Sequence, residues 1–440
     1  MVKTSKEEES IVQIHVVQQG ETLNGIAKLY NTTASAIISV NEIIPPYTLA
    51  VGEALVIPIV GSFYTVKPGD TLFTIAQALG INYQQLAAIN QISVNQPLIV
   101  GQRLYIPPGI KRNIEVNAYV EPLGEEVSAN LINSTSEAAP YLTYLAPFSF
   151  QILRDGSLRR PLLNDFPNIA RTNNVILMMV VTNLEAGQFS GELGRVILTD
   201  EELQNALIQN IIATANELNF RDIHFDLEFL PVETRDNYVN FLQKAKTRLA
   251  NEGILMSVAL APKTSDEQTG QWYEAHDYVR IGAIADFVVL MTYEWGYSGG
   301  PPRAVSPIDE VTKVVDHAIT TMPAEKIMLG QNLYGYDWTL PYVPGGDYAR
   351  ALSPLEATQM ARTLQVPIQF DDPSQAPFFE YTNSEGLEHI VWFEDARSIQ
   401  AKFALIKEYG LRGISYWKLG LAFPQNWLLL EDNFNIVKRV

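Results

Sequence analysis

The chain has 440 residues, 47% hydrophobic and 18% charged, with no cysteine and with 31 Lys plus Arg against 49 Asp plus Glu, a formal net charge of −18. Such a chain holds a large core, is not disordered and has the length of about three domains. The acidic balance argues against nucleic acid and anionic membranes as partners, and the missing thiols exclude disulfide scaffolds, thiolate zinc sites and cysteine nucleophiles.

Residues 1–12 read as an N-terminal extension. Its first ten residues, MVKTSKEEES, lack the apolar stretch of a secretory signal peptide. Nowhere does an apolar run reach the ~18 residues of a membrane span. A repeat follows: 15–58 aligns on 64–107 without a gap at an offset of 49, with fourteen of 44 positions identical. In each copy a short strand meets a glycine turn (Gly20, Gly69), and a threonine (Thr22, Thr71) stands as N-cap before Leu-x-x-Ile-Ala at helical spacing. A second helix ends near Asn41 or Asn90, and a closing strand ends at proline. Each copy therefore predicts a βααβ unit, over 13–59 and 63–108, and Pro107-Pro108-Gly109 reads as the linker into the rest.

From 113 onward eight apolar runs recur, at 114–120, 141–148, 175–181, 223–229, 254–260, 287–292, 327–330 and 413–417. Amphipathic stretches at 200–218, 234–251, 306–321 and 396–409 lie between them. This alternation predicts a (β/α)₈ TIM barrel over 113–440; no G-x-G-x-x-G follows the first run, as a doubly wound dinucleotide fold would want. The last two runs start 86 residues apart. The gap carries a helix at 353–364 and strand-like runs at 378–381 and 389–393, which predicts a small α+β insertion over 338–393 between strands seven and eight.

Active sites of parallel barrels lie at the C-terminal ends of the strands. The fourth run, DIHFDLEF, puts His224, Asp226 and Glu228 on one face and Ile223, Phe225 and Leu227 on the other. The polar face should point into the barrel mouth, with Asp226 and Glu228 roughly 6–7 Å apart at Cα. Two inward carboxyls raise each other's proton affinity, which keeps an acid protonated near neutral pH. From spacing alone, a structural ion-paired role stays open. His15, His276, His317 and His389 show no ligand spacing; no metal site is visible and no cofactor is expected.

The repeat's V-x-x-GDTL-x-x-IA, IN and L-x-V-G-Q-x-L-x-IP resemble the LysM module, with Glu21 in the first copy where the second has Asp70. The resemblance implies binding of N-acetylglucosamine-containing glycans, with Gly20, Thr22, Gly69, Asp70 and Thr71 as candidate residues and a groove closed by the loop near 92–95. The fourth run resembles the D-x-x-D-x-D-x-E motif of family 18 glycoside hydrolases; Met291-Thr-Tyr-Glu294 resembles its M-x-Y-D, Leu333-Tyr-Gly335 its L-Y-G, and Trp417 its tryptophan under the catalytic sugar. The departures are Arg221 and His224 at the first two motif aspartates, Val180-Val-Thr-Asn183 in place of S-x-G-G, and Glu294 in place of aspartate. The resemblance implies substrate-assisted catalysis: Glu228 as general acid, Asp226 orienting the 2-acetamido group, Tyr293 donating to its oxygen, Trp417 as floor. Tyr119, Met291, Trp295, Asn332 and His224 complete the expected substrate-binding set, although Met291 is expected to pack; His224 is expected to hold Asp226. Tyr297, Trp338 and Trp392 are further aromatic residues near strand ends or in the insertion.

With two LysM-like repeats, the whole chain resembles the LysM-bearing cortex-lytic N-acetylglucosaminidases of bacterial spores. That implies a spore-associated enzyme, in coat or cortex, acting on peptidoglycan during germination, with spore-coat or cortex proteins as further partners. A chitin-oligosaccharide hydrolase and a non-catalytic lectin-like protein are the alternatives.

Overall fold

In the computed structural model, which describes residues 13–59, 61–107 and 111–439, two small units precede a large barrel. The N-terminal extension and Pro108-Gly109 of the expected linker lie outside the described residues.

Each repeat is a βααβ unit. The first has strands Gln13–Val16 and Ala54–Ile57 around helices Leu23–Leu29 and Ala34–Val40; the second has Ser62–Thr65 and Arg103–Ile106 around Leu72–Ala78 and Tyr83–Ile89. Both strand pairs are antiparallel. The repeated residues have local jobs. Gly20 and Gly69 take φ of +85° and +88°, the left-handed region that favours glycine. Thr22 and Thr71 cap their helices, accepting from the Gly25 and Thr74 N–H groups. Asn41 and Asn90 tie the second helix to the closing strand: Asn41 donates to Ile37 O and Val56 O and accepts from the Val56 N–H, each at 2.8 Å, and Asn90 does the same with Leu86 and Tyr105.

Eight parallel strands close into a barrel: Arg112–Val120, Tyr144–Pro147, Ile176–Thr182, Asp222–Asp226, Leu255–Leu260, Phe287–Leu290, Ile327–Asn332 and Gly413–Trp417. Each pairs with the next, and the eighth returns to the first. The amphipathic stretches are helices packed around it. Glu201–Leu218, for one, is capped by the Asp200 carboxylate, which accepts from the Glu202 and Leu203 N–H groups. Residue alternation sorts the strands into two cores. Ile223, Phe225, Val288 and Leu290 join the layer between strands and helices. Tyr119, Tyr144, Met178, Val180, Phe287, Val289 and Met328 fill the barrel interior.

The segment after strand seven builds a five-stranded antiparallel sheet, in the order Arg350–Leu352, Gly335–Thr339, Glu388–Trp392, Ala376–Thr382, Gln369–Asp371, with helix Pro354–Leu364 beside it. The sheet starts at Gly335, directly behind the seventh strand, so it rises from the C-terminal end of the barrel. The first repeat docks on this insertion. Ile368 N–H donates to Val51 O at 2.8 Å. Arg362 clamps Glu53 through two hydrogen bonds of 3.0 and 2.6 Å, with both residues buried. Gly52 allows this approach: a Cβ there would lie 1.9 Å from Ile368 O.

Candidate active site

The fourth strand places Asp222, His224 and Asp226 inside the barrel, with Glu228 just beyond its end; all four are buried. Isolated carboxyls at such depth are costly in ionised form. The backbone at Glu228 is held by Asn183, at the end of strand three: Asn183 Oδ1 accepts the Glu228 N–H at 3.0 Å, and its Nδ2 donates to Glu228 O at 2.8 Å. The residue standing where the family's S-x-G-G would be thus anchors the acid-bearing position. Phe229 then turns the chain away at φ +53°.

His224 does not meet Asp226. Its Nδ1 lies 2.8 Å from Ser257 Oγ and its Nε2 2.8 Å from the Tyr119 hydroxyl. Ser257 donates onward to Asp222 Oδ1 at 2.6 Å, so its oxygen accepts from His224 Nδ1–H, and Tyr119 O–H donates to Nε2. Burial pushes the imidazole down to about 3, which keeps it neutral in that tautomer. The expectation that His224 holds Asp226 or touches substrate is therefore corrected: both its nitrogens belong to a buried chain from Tyr119 to Asp222.

Asp226 Oδ1 is buried without a hydrogen-bond partner among the described residues. Burial pushes the carboxyls of Asp226 and Glu228 up, and for Glu228 the neighbouring Asp226 charge adds to this. Trp272 opposes the rise, donating its indole N–H to Glu228 Oε2 at 2.5 Å. The two acids titrate as a pair and favour holding a proton at neutral pH.

Tyr293 follows strand six and packs with Met291, Ala259, Ala261, Trp272 and Tyr273. Its hydroxyl stays protonated, because burial and the surrounding acids raise it. Gly330 makes room for the ring: a Cβ there would lie 3.0 Å from Tyr293 Cε1. Trp417 ends strand eight, with Phe148 edge-on at 4.8 Å and Tyr119 at 5.4 Å between centroids. Glu294 accepts from the hydroxyls of Tyr334 and Tyr336.

Asp226, Glu228, Tyr293, Trp417, Tyr119 and Met291 thus gather at one end of the barrel. Trp295 instead packs against the strand–helix layer. Asn332 is fully buried, its amide donating to Tyr334 O and accepting from Gln331 Nε2; it shapes the turn behind strand seven. Trp338 is buried with its indole on Gly300 O, and Trp392 stacks on Phe378. In the repeats, Asp70 and Glu21 play one part: each carboxylate accepts a backbone N–H of its own turn at 2.7 Å, from Lys67 and Gln18. Sequence reasoning missed Trp272, Ser257 and the bonding role of Asn183. Among the described residues, no group of His, Asp and Glu is arranged to hold a metal, and no helix is long and apolar enough to cross a membrane.

Comparison with known proteins fits this geometry. The family "Glycosyl hydrolases family 18" matches residues 134–422, and the LysM domain matches 15–58 and 64–107. The chain is 61% identical over 428 residues to the cortical fragment-lytic enzyme of Bacillus subtilis (strain 168), covering 97% of this chain and 99% of the relative. It is 51% identical to the enzyme of the same name from Bacillus anthracis, covering 98% and 100%. The crystal structure of the Bacillus megaterium QM B1551 spore cortex-lytic enzyme SleL superposes with a TM-score of 0.90 at 53% identity, over 98% of this chain and 100% of that one. Barrel, inward acids and repeats together place the chain: it belongs to family 18 of the glycosyl hydrolases and carries two LysM domains ahead of its barrel.

Proposed function

We propose that this chain is a spore cortex-lytic N-acetylglucosaminidase, a glycosidase that cleaves cortex peptidoglycan or its fragments during germination and is anchored on the glycan by its LysM domains. Likeness to the cortical fragment-lytic enzymes over nearly the whole chain supports the substrate and the spore location. LysM binding is assigned to the turns of Gly20, Thr22, Gly69, Asp70 and Thr71 and the exposed loop near 92–95. Other spore-coat or cortex proteins are proposed as partners.

The observation that carries the mechanism is two buried acids, Asp226 and Glu228, beside the Tyr293 phenol, with Asp226 Oδ1 lacking a hydrogen-bond partner among the described residues; burial favours the protonated form of each. Glu228 delivers its proton to the glycosidic oxygen as the C1–O bond breaks. The 2-acetamido oxygen bonds to C1, giving an oxazolinium ion; this substrate-assisted route departs from the two-carboxylate nucleophile scheme. Asp226 accepts the acetamido N–H, Tyr293 donates to the acetamido oxygen, and the sugar rests on Trp417. Water then attacks C1 as its bond to the acetamido oxygen breaks, restoring the acetamido group, and gives its proton to Glu228, so configuration is retained.

The test is Glu228→Gln, assayed on soluble cortex fragments by mass spectrometry with chitin oligosaccharides alongside. General acid catalysis contributes roughly 10²–10⁴-fold, and a loss of that order with an unchanged melting temperature is expected. Near wild-type cleavage would remove the assignment of the acid, and faster turnover of chitin oligosaccharides would move the substrate.

A further inference from the structure

Three consecutive positions at the end of strand four are each bonded by one loop, 261–277, that follows strand five. His276 Nε2 lies 3.0 Å from Leu227 O, while His276 Nδ1 accepts the Ala261 N–H at 2.9 Å; this fixes the proton on Nε2 and ties the loop to both strands. Trp272 donates to Glu228 Oε2 at 2.5 Å. Gln271 Nε2 donates to Phe229 O at 3.2 Å. The Trp272 ring also stacks on Phe229, at 6.2 Å between centroids and 15° between planes, and packs with Tyr273, Met291 and Tyr293. The indole is thus locked on both sides, and its N–H points at one carboxyl oxygen of the acid.

We propose that Trp272 is a positioning residue for the reaction, fixing the Glu228 carboxyl through Oε2 so that the proton resides on Oε1, the oxygen left to face the glycosidic bond. This inference rests on the reading of Glu228 as general acid. An N–H on Oε2 tolerates the carboxylic acid when Oε2 is its carbonyl oxygen, and it excludes the rotamer and protonation state in which Oε2 carries the hydrogen. The same bond stabilises the carboxylate formed after proton transfer, because hydrogen bonds to ionised acceptors are the stronger ones. Trp272 therefore makes Glu228 a stronger acid than burial alone would leave it.

The titratable groups around Glu228 are Asp226 and, deeper in the barrel, Asp222 on its own strand, Tyr119 from strand one, Tyr293 and Glu294 behind strand six, and the imidazoles of His224 and His276. Both phenols are raised and both imidazoles lowered by burial, to about 3 and about 4 for the latter. Asp222, at the end of the chain through His224 and Ser257, is raised to about 7 and titrates in the neutral range with the Asp226–Glu228 pair; of these acids, Glu228 is the one bonded by the Trp272 N–H.

The experiment compares wild type with Trp272→Phe and with a protein carrying β-(3-benzothienyl)alanine at 272, which keeps the bicyclic shape and lacks the N–H. Activity on soluble cortex fragments is followed against pH. The basic limb of kcat/KM reports the acid of the free enzyme. Losing the donor raises that acid's pKa, so the limb moves to higher pH by on the order of one unit, given the strength of charge-assisted hydrogen bonds. A fall in kcat of roughly tenfold, with KM within about twofold, should accompany it, as for a transition-state-specific interaction. A fall in activity with the limb unmoved marks a merely structural residue and overturns the proposal, as does wild-type behaviour of the benzothienyl protein. Glu228→Gln, run alongside, separates the two readings. If that variant turns over normally, the acid assignment falls and takes Trp272 with it; if it is dead while the limb stays in place in both Trp272 variants, only the positioning role falls.

Discussion

Replacing Arg362 by methionine tests how the first LysM domain is held to the catalytic barrel. Arg362 and Glu53 are 5% and 1% exposed. Their two hydrogen bonds are joined by one from the Ala50 N–H to Glu53 Oε2 at 3.1 Å. Methionine fills much of the arginine stem's volume but leaves the Glu53 carboxylate buried with that single donor. Removing one partner of a buried ion pair costs about 3–5 kcal/mol, whereas replacing both partners by apolar groups is often neutral. Arg362→Met should therefore destabilise the docking by about 3–5 kcal/mol, and Glu53→Leu/Arg362→Met should recover most of it. Because multidomain chains do not unfold as one unit, the readout is local: amide exchange at Ile368, whose N–H bonds to Val51 O across the contact. About 3 kcal/mol corresponds to roughly a hundredfold faster exchange there if opening limits it. An Ile368 amide equally protected in wild type and the single variant would refute the reasoning, as would a double variant worse than the single one.

Two further outcomes follow from the barrel interior. In the proposed mechanism, Tyr293→Phe removes one donor to the developing oxazolinium. A kcat loss of about 10²–10³-fold with KM little changed is expected, as for other such donors; full activity on soluble fragments would remove Tyr293 from the mechanism. Asp222→Asn addresses stability. Burial raises Asp222 from 3.8 to about 7, so the folded state prefers the protonated acid. Its favourable contribution is complete below about pH 4 and is lost as pH rises through about 7; at 1.36 kcal/mol per unit this amounts to at most about 4 kcal/mol. Asparagine keeps an acceptor for Ser257 and does not titrate, so the variant should gain on wild type between about pH 4 and 7 and then hold level. Denaturation curves that stay parallel across that range would contradict this.

The fold was legible because its signals are periodic. Alternation at 222–228 separated an apolar face from a polar one, and the structure places Ile223, Phe225 and Leu227 in the strand–helix layer as that alternation requires. The repeat's threonines and glycines announced caps and turns, since those roles depend on local backbone geometry. What the sequence could not carry depends on contacts between distant elements. Trp272 lies 44 residues beyond Glu228 in a loop with neither period nor motif, and only folding brings its indole to the acid. The short strands Arg350–Leu352 and Gln369–Asp371 are edges stabilised by pairing with longer neighbours, and they are too brief to show a pattern.

His224 shows how one substitution redirects proton traffic without disturbing the strand. The family 18 motif has an aspartate at the middle position, between the strand's start and Asp226. Here the middle position is an imidazole that burial keeps neutral, and its two nitrogens are engaged by Tyr119 and Ser257. It can neither hold the proton of Asp226 nor stabilise its charge. On that face Glu228, two residues along, is the acid that the Asp226 charge raises, and the pair is coupled by charge. As Asp226 ionises, it makes Glu228 harder to ionise and so, in the proposed mechanism, keeps that acid protonated toward higher pH. In the proposed mechanism the basic limit of activity is then set within this pair and tuned from outside by the Trp272 indole, while His224, bonded at both nitrogens and lowered to about 3, adds no titration of its own there.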